Sequence, residues 1–137
     1  MIIMSVDLGL ARTGVAVSDE SGQFAFPRGV IAEKDEEKLI DKIIEAAKQY
    51  GAKRIVAGLP KNMDGSKGER AASCERIAAK IAEKSGIETV LFDERLTTSA
   101  AHTYLNMNDV RGKKRKQTVD AVAATLILEG YLASLKK

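Results

Sequence analysis

Three acidic residues lie at the ends of apolar runs in the sequence, where their carboxylates could come together in the folded chain. Asp7 ends the apolar run that opens the chain, and Glu94 follows a second apolar run. Asp120 lies near the start of a long apolar stretch. A carboxylate at the end of a buried strand is costly unless it is paired or binds a metal. Oxygen ligands in this number suit Mg²⁺ or Mn²⁺ rather than zinc, and two such ions can hold a phosphate and activate water.

Each of these acids also has a simpler explanation. In the first turn of a helix, Asp120 would interact with the helix dipole, and for this residue alone we favour that interpretation because acids are common there. Asp7 could be a turn residue, and Asp93, Glu94 and Arg95 could form a surface charge cluster. Asp7 is the hardest to explain in this way, because its strand is otherwise apolar at that end.

The turn after Asp7 has the pattern Asp7-x-Gly9-x-x-Arg12-x-Gly14. Glycines allow a backbone to approach a phosphate closely or allow tight packing of the turn, and an arginine can contact a phosphate through two hydrogen bonds. We therefore predict that Gly9 and Arg12 contact substrate. Actin-like ATPases and sugar kinases also begin with an Asp-x-Gly turn, but they need a second, similar domain that this chain is too short to contain.

A polar segment, Gly58–Gly68, follows the fourth predicted strand. It lacks the spacing of a Walker A loop, because no Gly-Lys-Ser/Thr follows at the required distance. It could be only a long polar connection. In the functional interpretation it is a substrate loop at the same sheet edge as Asp7, with Lys61 and Asn62 facing phosphate or sugar.

A polar and basic loop is predicted over Met107–Lys116. It ends in six residues of which five are basic and none is acidic: Arg111, Gly112, Lys113, Lys114, Arg115 and Lys116. Such a run can be merely a solvated loop. Because it directly precedes the helix that carries Asp120, we expect it to overhang the acidic residues and to bind a polyanion with salt-dependent affinity. Together with Lys67 and Arg95, it favours nucleic acid over a small phosphate compound.

Alternating and helical hydrophobic patterns predict the elements that position these residues. The predicted strands are Met1–Asp7, Thr13–Ser18, Phe24–Ile31, Lys53–Leu59 and Thr89–Phe92. The predicted helices are Asp35–Tyr50, Glu69–Ser85, Thr97–Asn106 and Thr118–Leu135. Pro27 suits an edge strand because it cannot donate a ladder hydrogen bond.

Three strands with short links form an antiparallel meander, and two helical crossovers then add parallel strands. The result is an α/β fold with a five-stranded mixed sheet flanked by helices, the layout of the ribonuclease H-like fold. At 137 residues we expect a single domain over the whole chain. In open α/β sheets the functional crevice lies at the carboxyl ends of the strands, where Asp7, Glu94 and Asp120 could converge.

Composition narrows the class of protein further. With 45% hydrophobic and 30% charged residues, the chain has the profile of an ordinary globular protein. A net charge of +3 favours an anionic partner only mildly. The single cysteine, Cys74, excludes an internal disulfide and a multi-cysteine zinc site and indicates a reducing, cytoplasmic environment. No apolar run approaches the roughly 18 residues that span a bilayer, so we expect no membrane association.

Four blocks of this sequence resemble the YqgF (RuvX) family of Holliday junction resolvase-like proteins, whose members are also described as pre-16S rRNA nucleases. The blocks are DLGLARTGVA from Asp7, VAGLPKNMDGS from Val56, DERLTT from Asp93, and VDAVAA from Val119 followed by Ile127 and Leu128. Their order and spacing make the resemblance specific, and it extends over nearly the whole chain.

The resemblance implies a ribonuclease H-like fold and metal-dependent phosphodiester hydrolysis, with Asp7, Glu94 and Asp120 as catalytic residues and metal ligands. It favours Glu94 over its neighbour Asp93, with Asp93 or Arg95 supporting Glu94 or the substrate. Two substrates remain open, the 5′ end of precursor 16S rRNA and branched DNA at a Holliday junction. Cutting a symmetric junction needs two active sites, so a homodimer would favour DNA and a monomer RNA. A non-catalytic nucleic-acid-binding module is a third possibility, against which the intact acidic trio argues.

Overall fold

The architecture is a single sheet with helices on both faces. The computed structural model describes residues 1–9, 11–60, 68–93 and 112–135, of which 112–120 are described by their backbone alone. The strands are β1 Ile2–Leu8, β2 Arg12–Ser18, β3 Ala25–Ala32, β4 Ala52–Leu59 and β5 Glu88–Asp93. The helices are α1 Glu36–Tyr50, α2 Glu69–Ser85 and α3 Gly112–Ser134.

The five strands lie in the order β3-β2-β1-β4-β5. The pairs β1–β2 and β2–β3 are antiparallel, whereas β1–β4 and β4–β5 are parallel. The predicted mixed sheet is therefore confirmed. Pro27 lies in the edge strand β3, as predicted, next to the register shift between Val15 and Ala16 of β2.

The two faces of the sheet pack against different helices. One face of β1, formed by Met4, Val6 and Leu8, belongs to the core cluster that includes buried residues of α1 and α2. The other face carries Ile3, which packs with buried residues of α3. Because side chains alternate along a strand, Ser5 and Asp7 lie on the α3 face.

The ends of α1 follow the expected capping chemistry. The carboxylate of Asp35 accepts a hydrogen bond from the Lys38 backbone N–H, and Glu36 and Glu37 occupy the first turn, where acids suit the helix dipole. Gly51 ends the helix in the left-handed conformation with φ of 72°, which glycine adopts without strain. The predicted limits of this helix are confirmed to within one residue.

The start of α3 corrects one prediction. The segment Met107–Lys116 was predicted to be a loop, but the helix begins at Gly112 and includes Lys113, Lys114, Arg115 and Lys116. Lysine and arginine are good helix formers, so a packed helix can extend through a basic run that has no proline. The rest of that loop and the predicted helix Thr97–Asn106 lie outside the described residues.

The same finding changes the interpretation of Asp120. This residue lies eight positions after Gly112, about two turns into α3. The first turn of α3 contains no acidic residue. Asp120 therefore does not lie where a carboxylate interacts with the helix dipole, since that effect is confined to the first turn. The simpler explanation for this acid is wrong.

Candidate active site at the carboxyl edge of the sheet

Asp7 lies beside glycine on both neighbouring strands. It pairs with Gly14 of β2, and because Val6 pairs with Ala57, the next residue along both strands brings Gly58 of β4 level with Asp7. Both glycines are buried, and Asp7 is half-buried. The two residues that flank Asp7 in the sheet therefore have no side chains.

This arrangement fits a divalent metal ion. Mg²⁺ and Mn²⁺ need oxygen ligands together with space for water and substrate oxygens. A carboxylate at the rim of the sheet supplies such an oxygen, and its two neighbours in the sheet, Gly14 and Gly58, have no side chains of their own. The carboxylate of Asp7 and the small size of its two strand neighbours thus fit the chemistry of a metal ligand.

A buried hydrogen bond fixes how α3 lies across β1. The Ser5 hydroxyl donates to the Ala124 carbonyl oxygen at 2.6 Å. Ile3, two residues before Ser5, packs in one cluster with Ile127 and Leu128, which follow Ala124. The helix therefore runs antiparallel to β1.

This register carries position 120 to the end of β1. Asp7 lies two residues beyond Ser5, about 6.6 Å along the strand. Position 120 lies four residues before Ala124, about 6 Å along the helix and on the same side, because four residues make about one turn. The backbone of residue 120 therefore lies level with Asp7 along β1, on the α3 side of the sheet, while its side chain lies outside the described atoms.

The end of β5 reaches the same edge. Phe92 pairs with Gly58 and Asp93 with Leu59, so β5 ends level with β1 and β4. Phe92 packs against the α3 cluster, and alternation then places Asp93 on the opposite face. Glu94 is the next residue in the chain and lies outside the described residues.

The turn between β1 and β2 depends on Gly9 for a steric reason. A Cβ at this position would meet the carbonyl oxygen of Arg12 far inside van der Waals contact. Arg12 is half-buried at the start of β2, and alternation places it on the face that carries Gly14 and Asp7. The structure thus brings Arg12 to the acidic edge and gives Gly9 a role in closing the turn, which the phosphate-contact interpretation did not include.

Arg70 is a residue of this region that sequence reasoning missed. Its guanidinium donates a hydrogen bond of 3.1 Å from Nη2 to the carbonyl oxygen of Leu8, the residue after Asp7. The two residues are 62 positions apart, and no local pattern signals the contact. Arg70 holds the end of β1 where its ladder with β4 stops.

The basic residues of α3 extend beyond the sheet. Because position 120 lies at the end of β1 and the helix begins at Gly112, about 12 Å of helix projects past this edge. Lys113–Lys116 lie on this projection, which we call the basic extension. Cations at a helix N-terminus oppose the dipole, at a cost of about 0.3–1 kcal/mol each when exposed. A bound polyanion would relieve this repulsion.

Lys61, Asn62 and Arg95 lie outside the described residues, as does Glu94. Within the described residues, no group of three or more His, Cys, Asp or Glu side chains is close enough to hold a metal ion. Of the predicted trio, only the side chain of Asp7 is among the described residues. None of the described helices is long and apolar enough to cross a membrane.

Comparison with known proteins gives consistent matches over the whole chain. The family model described as "RuvX: Holliday junction resolvase" matches residues 1–134. A curated protein of Bacillus cytotoxicus named "Putative pre-16S rRNA nuclease" is 45% identical over 136 residues, which are 98% of this chain and 99% of that protein.

Solved structures show the same fold at low sequence identity. Thermus thermophilus RuvC in complex with Holliday junction substrate aligns with a TM-score of 0.63 at 12% identity, covering 100% of this chain and 97% of that one. The Fowlpox virus resolvase in complex with Holliday junction DNA aligns with a TM-score of 0.62 at 12% identity, covering 100% of both chains. The fold is ribonuclease H-like, and the match over residues 1–134 shows that this chain belongs to the RuvX family.

Proposed function

We propose that this chain is a metal-dependent nuclease that processes the 5′ end of precursor 16S rRNA in the cytoplasm. Residues 1–137 form one ribonuclease H-like domain in this proposal. Asp7, Glu94 and Asp120 hold Mg²⁺ or Mn²⁺ as two ions. The observation that carries the proposal is the hydrogen bond between Ser5 and Ala124, because the register that it sets supports an approach of residue 120 to the end of β1.

The choice of Glu94 over Asp93 rests on the family resemblance and is supported by the direction of β5. Phe92 faces α3, as does Asp7, and Asp93 faces away from it. The end of β5 therefore turns Asp93 away from Asp7, which leaves Glu94 as the proposed ligand from this part of the chain. β1 and β5 are separated by β4 and so lie about 10 Å apart. The longer glutamate side chain is suited to reach across that gap.

The chemistry divides between the ions and the protein. When bound, the two ions supply an activated water and stabilise the leaving oxygen of an in-line displacement. The three carboxylates orient that centre at the carboxyl edge of the sheet. Arg12, next to Asp7 on the same face, is placed to contact the phosphate that is cut.

The remaining predicted substrate contacts position the nucleic-acid backbone. They are Gly9, whose small size keeps the turn beside Asp7 tight, and Lys61, Asn62, Arg95, Lys113, Lys114, Arg115 and Lys116. The basic extension supports a polyanionic substrate, because its four cations at a helix N-terminus repel the dipole unless an anion is bound.

The choice of RNA rests on the relatives. The protein of Bacillus cytotoxicus with 45% identity carries a name that refers to precursor 16S rRNA. The resolvase structures, at 12% identity, support the fold alone. A Holliday junction substrate remains the alternative, and a monomer that cuts RNA would argue against it.

A cleavage panel with matched variants tests the proposal. Wild-type protein is incubated with precursor 16S rRNA, single-stranded DNA and a branched DNA junction, each with Mg²⁺ or Mn²⁺. We expect metal-dependent cleavage of the RNA and its loss in Asp7→Asn, Glu94→Gln and Asp120→Asn. Asp93→Asn is the matched control and should retain activity, because Asp93 faces the other side of the sheet.

Two results would contradict the proposal. Undiminished cleavage by Asp7→Asn would remove the acidic site from the mechanism. Binding of nucleic acid without cleavage of any substrate, at any metal concentration, would indicate a non-catalytic binding module. Cleavage of only the branched DNA would keep the nuclease and replace its substrate.

A further inference from the structure

We infer that Ser5 is a positioning residue for the metal site, and that its hydrogen bond to Ala124 sets the spacing between Asp7 and Asp120. This inference rests on the proposed function. Ser5 contacts no substrate in this scheme and acts only through the helix that it holds.

Ser5 is a polar residue in an otherwise apolar layer. It is 0% exposed and lies on the face where Ile3, Val56 and Ile127 form the core beneath α3. An alanine would fill nearly the same space. The hydroxyl therefore matters for its hydrogen bond and not for the space that it fills. This hydrogen bond of 2.6 Å can form at only one position of α3 along β1, and so it fixes that position.

Apolar packing alone constrains the position of α3 weakly. The helix presents small residues to the sheet in this region, including the buried Ala121 and Ala124, and nearly every residue from Val119 to Leu128 is apolar. A helix that is apolar on several sides has no strongly preferred face. A shift by one residue would move position 120 by about 1.5 Å and rotate it by about 100°. Metal–ligand distances tolerate only about 0.2 Å.

A second polar contact joins α3 to the sheet at a point farther along the helix from the acidic residues. Nη1 of Arg54 donates to the Tyr131 hydroxyl at 2.9 Å. Tyr131 lies seven residues after Ala124, about two turns farther from the carboxyl edge. This contact joins the same helix to the same sheet, and so it provides a control for loss of a helix–sheet hydrogen bond without loss of the Ser5 contact.

The test compares Ser5→Ala with Tyr131→Phe in the full chain. Mn²⁺ binding is measured by isothermal titration calorimetry without substrate. In a separate assay, the Mn²⁺ concentration that gives half-maximal cleavage is determined. We expect Ser5→Ala to weaken Mn²⁺ binding by about tenfold, the typical effect of losing a contact that orients a ligand. Half-maximal cleavage should need more Mn²⁺ by the same factor, with the rate at saturating Mn²⁺ preserved.

Tyr131→Phe should lower the midpoint of thermal unfolding without changing Mn²⁺ affinity. Equal Mn²⁺ affinity in Ser5→Ala and wild type would overturn the inference, as would an equal loss of affinity in Tyr131→Phe. Wild-type protein that binds Mn²⁺ but cuts no substrate would contradict the proposed function. The inference about Ser5 would still be tested by comparing the Mn²⁺ affinities of Ser5→Ala and wild type. Wild-type protein that binds no Mn²⁺ would contradict both.

Discussion

Asp7 and Gly14 face each other across the first hairpin of the sheet, so the residue paired with Asp7 in this ladder has no side chain. Directly opposed residues on one face have Cβ atoms about 4.5–5.5 Å apart. We predict that Gly14→Val places two methyl groups in the volume that the metal and phosphate need. Cleavage should fall by at least about tenfold, while valine suits a strand and should preserve the fold.

This prediction is checked by single-turnover cleavage together with Mn²⁺ calorimetry and circular dichroism. Gly14→Ala gives a smaller step in size and should have a smaller effect on both activity and Mn²⁺ affinity. Full activity in Gly14→Val would show that the volume beside Asp7 is not used.

The basic extension should show opposite effects on stability and binding. Lys114→Glu removes a cation that opposes the dipole of α3 and adds a favourable anion, so we expect the free energy of unfolding to rise by up to about 1 kcal/mol. Affinity for RNA should fall, with a shallower dependence on salt concentration, because a phosphate contact is lost.

Binding is measured by fluorescence anisotropy over a series of salt concentrations, and stability by urea denaturation. Lys53→Glu is the matched control, because it makes the same change of charge at an exposed position in β4, near the opposite end of the sheet. Equal losses of RNA affinity in the two variants would indicate a general effect of net charge.

Thr13 offers a test of the core that is separate from catalysis. Its hydroxyl is buried and, in the part of the chain that the structure describes, has no hydrogen-bond partner. Thr13→Val replaces the hydroxyl with a methyl group of similar size, so we expect the free energy of unfolding to rise by about 1 kcal/mol. Thr13→Ser keeps the hydroxyl and removes the methyl group, and it should destabilise the protein. An unchanged or lower urea midpoint for Thr13→Val would argue for a partner of this hydroxyl.

An ion-pair cluster between α1 and α2 predicts a dependence of stability on pH. Hydrogen bonds from Arg76 and Lys80 lower the pKa of Glu36 from 4.5 to about 2. A carboxylate with a lowered pKa stabilises the folded state above its ordinary pKa, and this stabilisation is lost as the pH falls from 4.5 towards 2. Because the side chain is 31% exposed, we expect a contribution of less than about 1 kcal/mol.

Glu36→Gln tests this prediction. The variant should be less stable than wild type at pH 7, and the difference should shrink on acidification below pH 4.5. Chemical denaturation at a series of pH values measures both. A difference that stays constant down to pH 2 would show that the ion pair does not contribute.

The strands and two of the three described helices follow from local patterns. The meander was predicted from runs of β-branched residues, and the edge position of β3 from Pro27. The limits of α1 follow from Asp35 and Gly51, whose side chain and backbone freedom cap a helix directly. These signals are local, and so a single sequence is sufficient to detect them.

What the sequence did not reveal depends on contacts between distant residues. The Ser5–Ala124 hydrogen bond joins positions 119 apart, and the Arg70–Leu8 contact joins positions 62 apart. The basic run at the start of α3 was predicted to be a loop because charge alone does not distinguish a solvated loop from a helix stabilised by packing farther along. The three acids are predicted from their places at element ends and the preference for Glu94 over Asp93 from the family resemblance, to which the structure adds the face of β5 on which Asp93 lies.

The single helix α3 carries both the proposed metal ligand at position 120 and the basic extension. A helix is stiff along its axis, so Lys113–Lys116 lie at fixed distances of about 6–10 Å from Asp120. We therefore expect the cut to lie a constant number of nucleotides from the phosphate that the basic residues bind.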